Sequence, residues 1–249
     1  MAIAVKFLSY PKGRYFYATI AFVRCKAYIN CEIGTSKYKF CRHWHRPWLL
    51  PVYLVASGKS NGGYACDINT DPLQKAKALI VKYCLSDKIQ TLLSDGLTEL
   101  YDKAIDDIII AGMGGELIAD ILDAAIFVQN TKFNFVLQPM TRPEPLRRYL
   151  LTHGFEIDKE DGVTAGKYTY SVMSVHYSGI IKECTQLYAL VGELPKSNLL
   201  DSYIYLKKLY QKEKYKLIGL QNANTPNILL INEKQQLVTE LQHLLEAKA

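Results

Sequence analysis

The run Asp107-Ile-Ile-Ile-Ala111 passes without a polar break into Gly112-Met113-Gly114-Gly115, and Leu117, Ile118, Ile121 and Leu122 follow at helical spacing. Such a continuous apolar run is what a strand buried on both faces of a parallel sheet requires. Ordering a glycine costs conformational entropy, so three glycines at a strand-to-helix junction point to a ligand lying against the backbone. A glycine turn at a helix start also suits pyrophosphate. The spacing, however, is GxGG and not the GxGxxG of dinucleotide sites, which weakens a nicotinamide-dependent oxidoreductase reading.

The same rhythm extends from about residue 62. Gly63 to Ile68 reads as a short strand ending in an acid, and Asp71-Pro72 opens a helix with Leu73, Ala76, Leu79 and Ile80 on one stripe. Ile89 to Leu93 is a strand closed by the turn Ser94-Asp95-Gly96. Phe133 to Leu137 is another, ending at Gln138-Pro139. Arg142 to His153 is a helix stopped by Gly154, and Tyr170 to Val175 is a last strand. This pattern predicts an α/β fold with a doubly wound, mostly parallel sheet. Asn198 to Leu220 and Asn227 to Leu245 predict a C-terminal α-helical hairpin, with Leu237, Leu241 and Leu244 facing Tyr203, Leu206, Leu209 and Tyr210. Neither helix shows a dense basic stripe, so a packing or dimerisation arm and a nucleic-acid-gripping arm both remain open.

In such a sheet, ligands bind at the carboxyl ends of the strands. Asp67 is placed to accept both hydroxyl protons of a ribose. Asp95 can accept from an exocyclic adenine amine while Gly96 lets the backbone come close. Ile68 and Ala111 flank these positions.

The chain lacks a run of about 20 apolar residues and a signal-peptide pattern, which places it in the cytoplasm, away from membranes. Its six cysteines form no CxxC pair and read as free thiols. The net charge of +6 is unevenly spread. Residues 1–50 hold nine Lys or Arg and one acid, so they carry +8, and the rest of the chain sums to −2.

Ile109-Ile-Ala-Gly-Met-Gly-Gly-Glu-Leu-Ile118, Leu137-Gln-Pro-Met140, and Leu146-Arg147 to Leu150 followed by Gly154-Phe155 resemble the bacterial tRNA (adenine-22-N1)-methyltransferase family over roughly residues 51–249. The resemblance implies a Rossmann-like methyltransferase sheet over 51–180, the helical hairpin over 195–249, S-adenosylmethionine as cofactor and tRNA as substrate. It implies cofactor contacts at Asp67, Ile68, Asp95, Gly96, Ala111 and Gly112. The target base would be walled by Gly112, Met113, Gly114, Gly115, Gln138 and Pro139. Arg142, Lys167 and Tyr168 would contact substrate, and no metal is implied. Glu160-Asp161-Gly162 departs from the family pattern: Val-Thr-Ala intervenes before Gly166-Lys167-Tyr168.

The family's first cofactor loop, of the form Ala-Asp-Ile-Gly-Thr/Ser-Asp-His-x-Tyr-Leu-Pro, should precede Pro51. Cys41-Arg-His-Trp-His-Arg-Pro-Trp-Leu-Leu50 stands there instead. Back-translated with suitable codons and read one base later, that stretch encodes Ala-Asp-Ile-Gly-Thr-Asp-His-Gly-Tyr. A one-base deletion near the codon of Leu50 makes residues 1–50 an out-of-frame segment. Cys41, His43 and His45 are then not a metal cluster, and the +8 charge is no RNA footprint. The expectation is a sheet lacking its first strand, and the alternative function is a non-catalytic remnant that has lost its cofactor.

Overall fold

The computed structural model describes residues 2–6, as backbone, and 49–248. In chain order its strands and helices are β1 (Ala2–Lys6), α1 (Leu49–Ala56), β2 (Gly62–Asp67), α2 (Thr70–Lys82), β3 (Ile89–Leu93), β4 (Asp107–Gly114), α3 (Gly115–Ala124), β5 (Asn134–Thr141), α4 (Pro143–Thr152), β6 (Phe155–Ala165), β7 (Tyr168–Tyr177), α5 (Gln186–Val191), α6 (Leu200–Gln221) and α7 (Ile228–Glu246).

The strands form one sheet in the order β3-β2-β1-β4-β5-β7-β6. Pairs β2–β3 and β4–β5 are parallel, whereas β7 runs antiparallel to both β5 and β6. The doubly wound expectation is met in a mixed sheet: five of the seven described strands, β2 to β6, point the same way, while β1 and β7 are reversed and only two neighbouring pairs are parallel. On β4, Ile109 and Ala111 face the core with α1 and α2, while Ile108 and Ile110 face the core with α3 and α4. This two-sided burial explains the unbroken apolar run. Each of these isoleucine side chains contributes about 1.5–3 kcal/mol. Leu117, expected on the buried stripe of α3, is half exposed; Ile118, Ala119, Ile121 and Leu122 form the packed face instead.

The sheet has a strand at its centre, contrary to expectation, but residues 2–6 supply it. β1 runs antiparallel to both neighbours, with Ala2 opposite Cys66 and Ile110, and its other end near Gly62 and Asp107. The physical reason is the sheet's hydrogen bonding. Without a strand there, the facing N–H and C=O groups of β2 and β4 would be buried unpaired. Residues 41–48, where the shifted reading places the lost loop, lie outside the described residues.

β6 was not foreseen. Its charged residues Glu156, Asp158, Lys159, Glu160 and Asp161 hide a strand in which Glu160 and Asp161 are buried against partners. Arg147 and Glu160 are both fully buried and meet at 2.6 Å. The Arg147 guanidinium also donates to the carbonyls of Ala189 and Leu190 at 2.8 and 2.6 Å, and the Glu193 N–H donates to Glu160 at 3.1 Å. Burial alone would lower the arginine's pKa, but the Glu160 carboxylate and Tyr205 together more than offset it and hold the group charged. Ser197 donates to the buried Asp161, and Ser202 donates to Ser197 at 2.8 Å while accepting from the Gly162 N–H at 2.7 Å. These bonds fasten α5 and α6 to the sheet.

The helical hairpin formed as predicted, with boundaries within two residues of the expectation. Its core joins Leu206, Leu209, Leu237 and Leu241 to Leu190, Val191 and Leu194. Glu213 is buried between the helices and bound by Lys216 and Lys234, each at 2.7 Å.

Candidate functional site

Four loops meet at the carboxyl edge of the sheet. Asp67 ends β2, and one of its carboxylate oxygens accepts from the Asn69 N–H at 2.9 Å. Among the described residues its other oxygen has no such bond, so it can accept from a ligand hydroxyl. Ile68 projects beyond it, 61% exposed. The Ser94 N–H donates to the Asp67 carbonyl at 3.1 Å and ties the next loop alongside. There the exposed Asp95 caps the following turn, its carbonyl accepting from the Thr98 hydroxyl at 3.0 Å, and Gly96 has φ +59°. Cys66, one residue before Asp67, is buried, which pushes its thiol up to about 12 and keeps it protonated at neutral pH.

The glycine junction has a different role at each position. Gly112 sits at an irregularity of the β4–β5 ladder, between the Ala111–Gln138 and Met113–Pro139 pairs, with φ +85°. That conformation suits glycine and leaves its backbone exposed. Gly115 is buried, and a Cβ there would lie 2.0 Å from the Arg142 carbonyl oxygen. Its lack of a side chain serves the close approach of the β5–α4 turn, not a ligand.

Gln138 is fully buried. Its side-chain oxygen accepts from the Gly112 N–H at 3.2 Å, and its amide donates to the Pro139 carbonyl at 3.1 Å. Pro139 is buried beside it. Gln138 therefore shapes the glycine turn from behind. Arg142 adopts the left-handed conformation, φ +50°, and its guanidinium meets Glu116 at 2.8 Å. A strained non-glycine residue at a loop of this edge is of the kind that gathers at functional sites.

Lys167 and Tyr168 lie at the β6–β7 turn, on the same edge of the sheet but beyond β5 and β7. The Lys167 ammonium sits 5.2 Å from the Tyr168 ring centre, and its carbonyl accepts from Lys208 of α6. Lys208 also donates to Thr169 at 2.7 Å. Lys208, Lys212 and Lys216 line one cleft with Arg142 and Arg148. α6 does therefore carry a basic stripe, contrary to the sequence reading. Its i, i+4, i+8 spacing was the available signal, obscured by Lys207 and Lys214 on other faces.

Among the described residues no group of three His, Cys, Asp or Glu could hold a metal, and no helix is long and apolar enough to cross a membrane. Cys41, His43 and His45 lie outside them.

Residues 48–173 match a family described as a methyltransferase domain. The chain belongs to that family. Within it, the chain is 34% identical over 111 residues to a tRNA (adenine(22)-N(1))-methyltransferase of Bacillus subtilis, a match that covers 45% of this chain and 47% of that protein. The chain thus spans about half the length of the curated relative it matches. Among solved structures, it is similar to M. capricolum TrmK in complex with the cofactor product S-adenosyl-homocysteine, with TM-score 0.66 and 25% identity over 80% of this chain and 87% of that one. It is also similar to a protein in the NADB-Rossmann superfamily from Streptococcus agalactiae, with TM-score 0.69 and 25% identity over 96% of this chain and 98% of the other. The methyltransferase fold sets the oxidoreductase reading aside.

Proposed function

We propose that this methyltransferase-fold chain derives from a cytoplasmic enzyme that transfers a methyl group from S-adenosylmethionine to N1 of an adenine in tRNA. The observation that carries the reading is the carboxyl edge itself: Asp67, Asp95 with Gly96, and the bulged Gly112 turn lie on successive loops of a methyltransferase fold. The partial identity to the B. subtilis enzyme supports the choice of substrate.

The residues present fit the adenosine half of the cofactor. Asp67 has a carboxylate oxygen left for a ribose hydroxyl, and Gly112 exposes backbone where a ring would lie, while Gly96 is half-buried against Ile121 on the loop after β3. When bound, S-adenosylmethionine supplies an electrophilic methyl on a sulfonium leaving group. The protein's task is positioning. Met113, Gly114 and Pro139 wall the target-base pocket, and Gln138 fixes the Gly112 backbone. N1 lies on the Watson–Crick edge, so the adenine has to be turned out of its stack to reach them. Arg142, Lys167 and Tyr168 contact the substrate backbone.

Residues 1–50 are an out-of-frame segment in this reading, followed by the methyltransferase domain over 51–180 and the hairpin over 195–249. The direction of β1 supports it: the chain leaves that strand at the edge of the sheet opposite the site.

The test compares this chain with one carrying a base inserted at the codon of Leu50. Both are incubated with unmodified tRNA and S-adenosylmethionine, and 1-methyladenosine is measured by mass spectrometry. Methylation by the restored chain alone is expected. A restored chain that neither methylates tRNA nor binds S-adenosyl-homocysteine sinks the function. Methylation by the chain as written sinks the frame reading, and tRNA binding without methylation by either chain favours the non-catalytic remnant.

A further inference from the structure

A cleft of about 670 Å³ runs between the first turn of α4 and the outer face of α6. Five cations and one carboxylate, Glu144, line it, although residues 51–249 as a whole carry −2. Two of the five, Arg142 and Lys216, are paired with Glu116 and Glu213 beyond the lining, which leaves Arg148, Lys208 and Lys212 without a carboxylate partner among the described residues. Arg142 and Arg148 come from the α4 side, and Lys208, Lys212 and Lys216 from α6. The lysines stand at i, i+4 and i+8, about 6 Å apart along the axis. Like charges at this spacing repel and cost helix stability; Lys208 and Lys216 offset that cost through structural partners, whereas Lys212 does not.

Fixed contacts hold most of the ladder in place. Lys208 is anchored on the β6–β7 turn, Lys216 on Glu213 and Arg148 on the Cys184 carbonyl. Lys212 has no hydrogen bond or ion pair among the described residues. Met140, Thr141 and Arg142 form the end of the cleft nearest the sheet. Thr141 pairs with Gly114, so the cleft opens directly beside the glycine turn.

We infer that this cleft is the groove for the phosphate backbone of the substrate RNA, with α6 as one of its walls. The inference rests on the proposed action on RNA and assigns to it Arg148, Lys208, Lys212 and Lys216. A strand whose adenine occupies the glycine turn would continue along the cleft, where fixed cations replace its counterions. A rigid ladder of single charges contacts backbone and reads no sequence.

The experiment is fluorescence anisotropy of labelled, unmodified tRNA with the full chain over a range of salt concentrations. The wild type is compared with Lys212→Ala, Lys212→Glu and Lys77→Ala, the last on the exposed face of α2, with circular dichroism to verify folding. Lys212→Ala should bind severalfold more weakly, with a salt slope smaller by about one. Lys212→Glu should bind more weakly still, and Lys77→Ala should match the wild type. Wild-type binding that both Lys212 variants retain, with the same slope, overturns the groove but leaves the RNA reading standing. Absence of tRNA binding by the wild type and by the frame-restored chain alike overturns both. Displacement of tRNA by polyglutamate of equal charge overturns the inference in favour of an acidic protein partner.

Discussion

The Gly112 N–H donates to the side-chain oxygen of Gln138, 26 residues away, at 3.2 Å. The bond joins the ends of β4 and β5 and fixes the exposed backbone of the glycine turn through a side chain that no ligand can touch. Gln138 is thus a positioning residue. Gln138→Leu should lower stability by about 1 kcal/mol in urea unfolding, the net worth of such a bond plus the unpaired Pro139 carbonyl. In the frame-restored chain it should also weaken S-adenosyl-homocysteine binding by calorimetry. Unchanged affinity would show that the turn keeps its shape unaided.

Gly115 and Gly112 should respond differently to alanine. At Gly115 the new Cβ falls 2.0 Å from the Arg142 carbonyl oxygen, so the β5–α4 turn has to move. A loss of about 2–4 kcal/mol is expected, in the range of severe overpacking. At Gly112 the left-handed backbone costs about 1–2 kcal/mol. Urea midpoints measured side by side decide; equal losses would contradict the distinction.

The Arg147–Glu160 pair gives a double-mutant test. Arg147→Met strands a buried carboxylate, and Glu160→Leu strands a buried guanidinium. Each should cost about 3–5 kcal/mol. The double variant should recover part of that loss, because an apolar pair needs no ionic partner, although it leaves the Ala189 and Leu190 carbonyls and the Glu193 N–H without theirs. If the losses simply add, the pair is not coupled as its geometry requires.

Asp107 begins β4 at the edge away from the site, and burial raises its carboxyl from the usual 3.8 to about 6. A folded pKa above the unfolded one means that the native state holds the proton more tightly. Asp107 therefore begins to destabilise the fold as pH rises above about 4, and its penalty is complete above about 6. Asp107→Asn should be more stable than wild type by about 1–2 kcal/mol at pH 7.5, with the gain vanishing near pH 4. A gain that is flat with pH would place the effect elsewhere.

The parts of the fold legible in the sequence are those where local pattern and burial agree. β4 shows as a run of isoleucines because both of its faces are covered, and the hairpin shows as leucines at helical spacing. β6 was hidden because Glu160 and Asp161 are buried by partners far along the chain, Arg147 and Ser197, which local spacing cannot reveal. α1 was hidden for the opposite reason: Leu50 to Val55 are all buried, so no polar face marks a period. At the site, Asp67, Asp95 and Gly112 stood out as strand-end residues. The glycine at 115 misled, because its reason is the backbone of Arg142. The lysines of α6 acquire meaning only once α4 is placed opposite them.

The central strand carries a lesson about polarity. β1 satisfies the backbone of both neighbours, as a strand of either direction would, so sheet continuity alone does not register that it is reversed. Direction decides where the following segment emerges, and here it emerges on the floor of the sheet and not at its mouth. Hydrogen bonding treats the two orientations almost as equals, whereas a ligand at the mouth distinguishes them absolutely. A reversed central strand thus leaves the sheet whole in cross-section while its last residue, Lys6, lies beside Gly62, at the opposite end of β2 from Asp67.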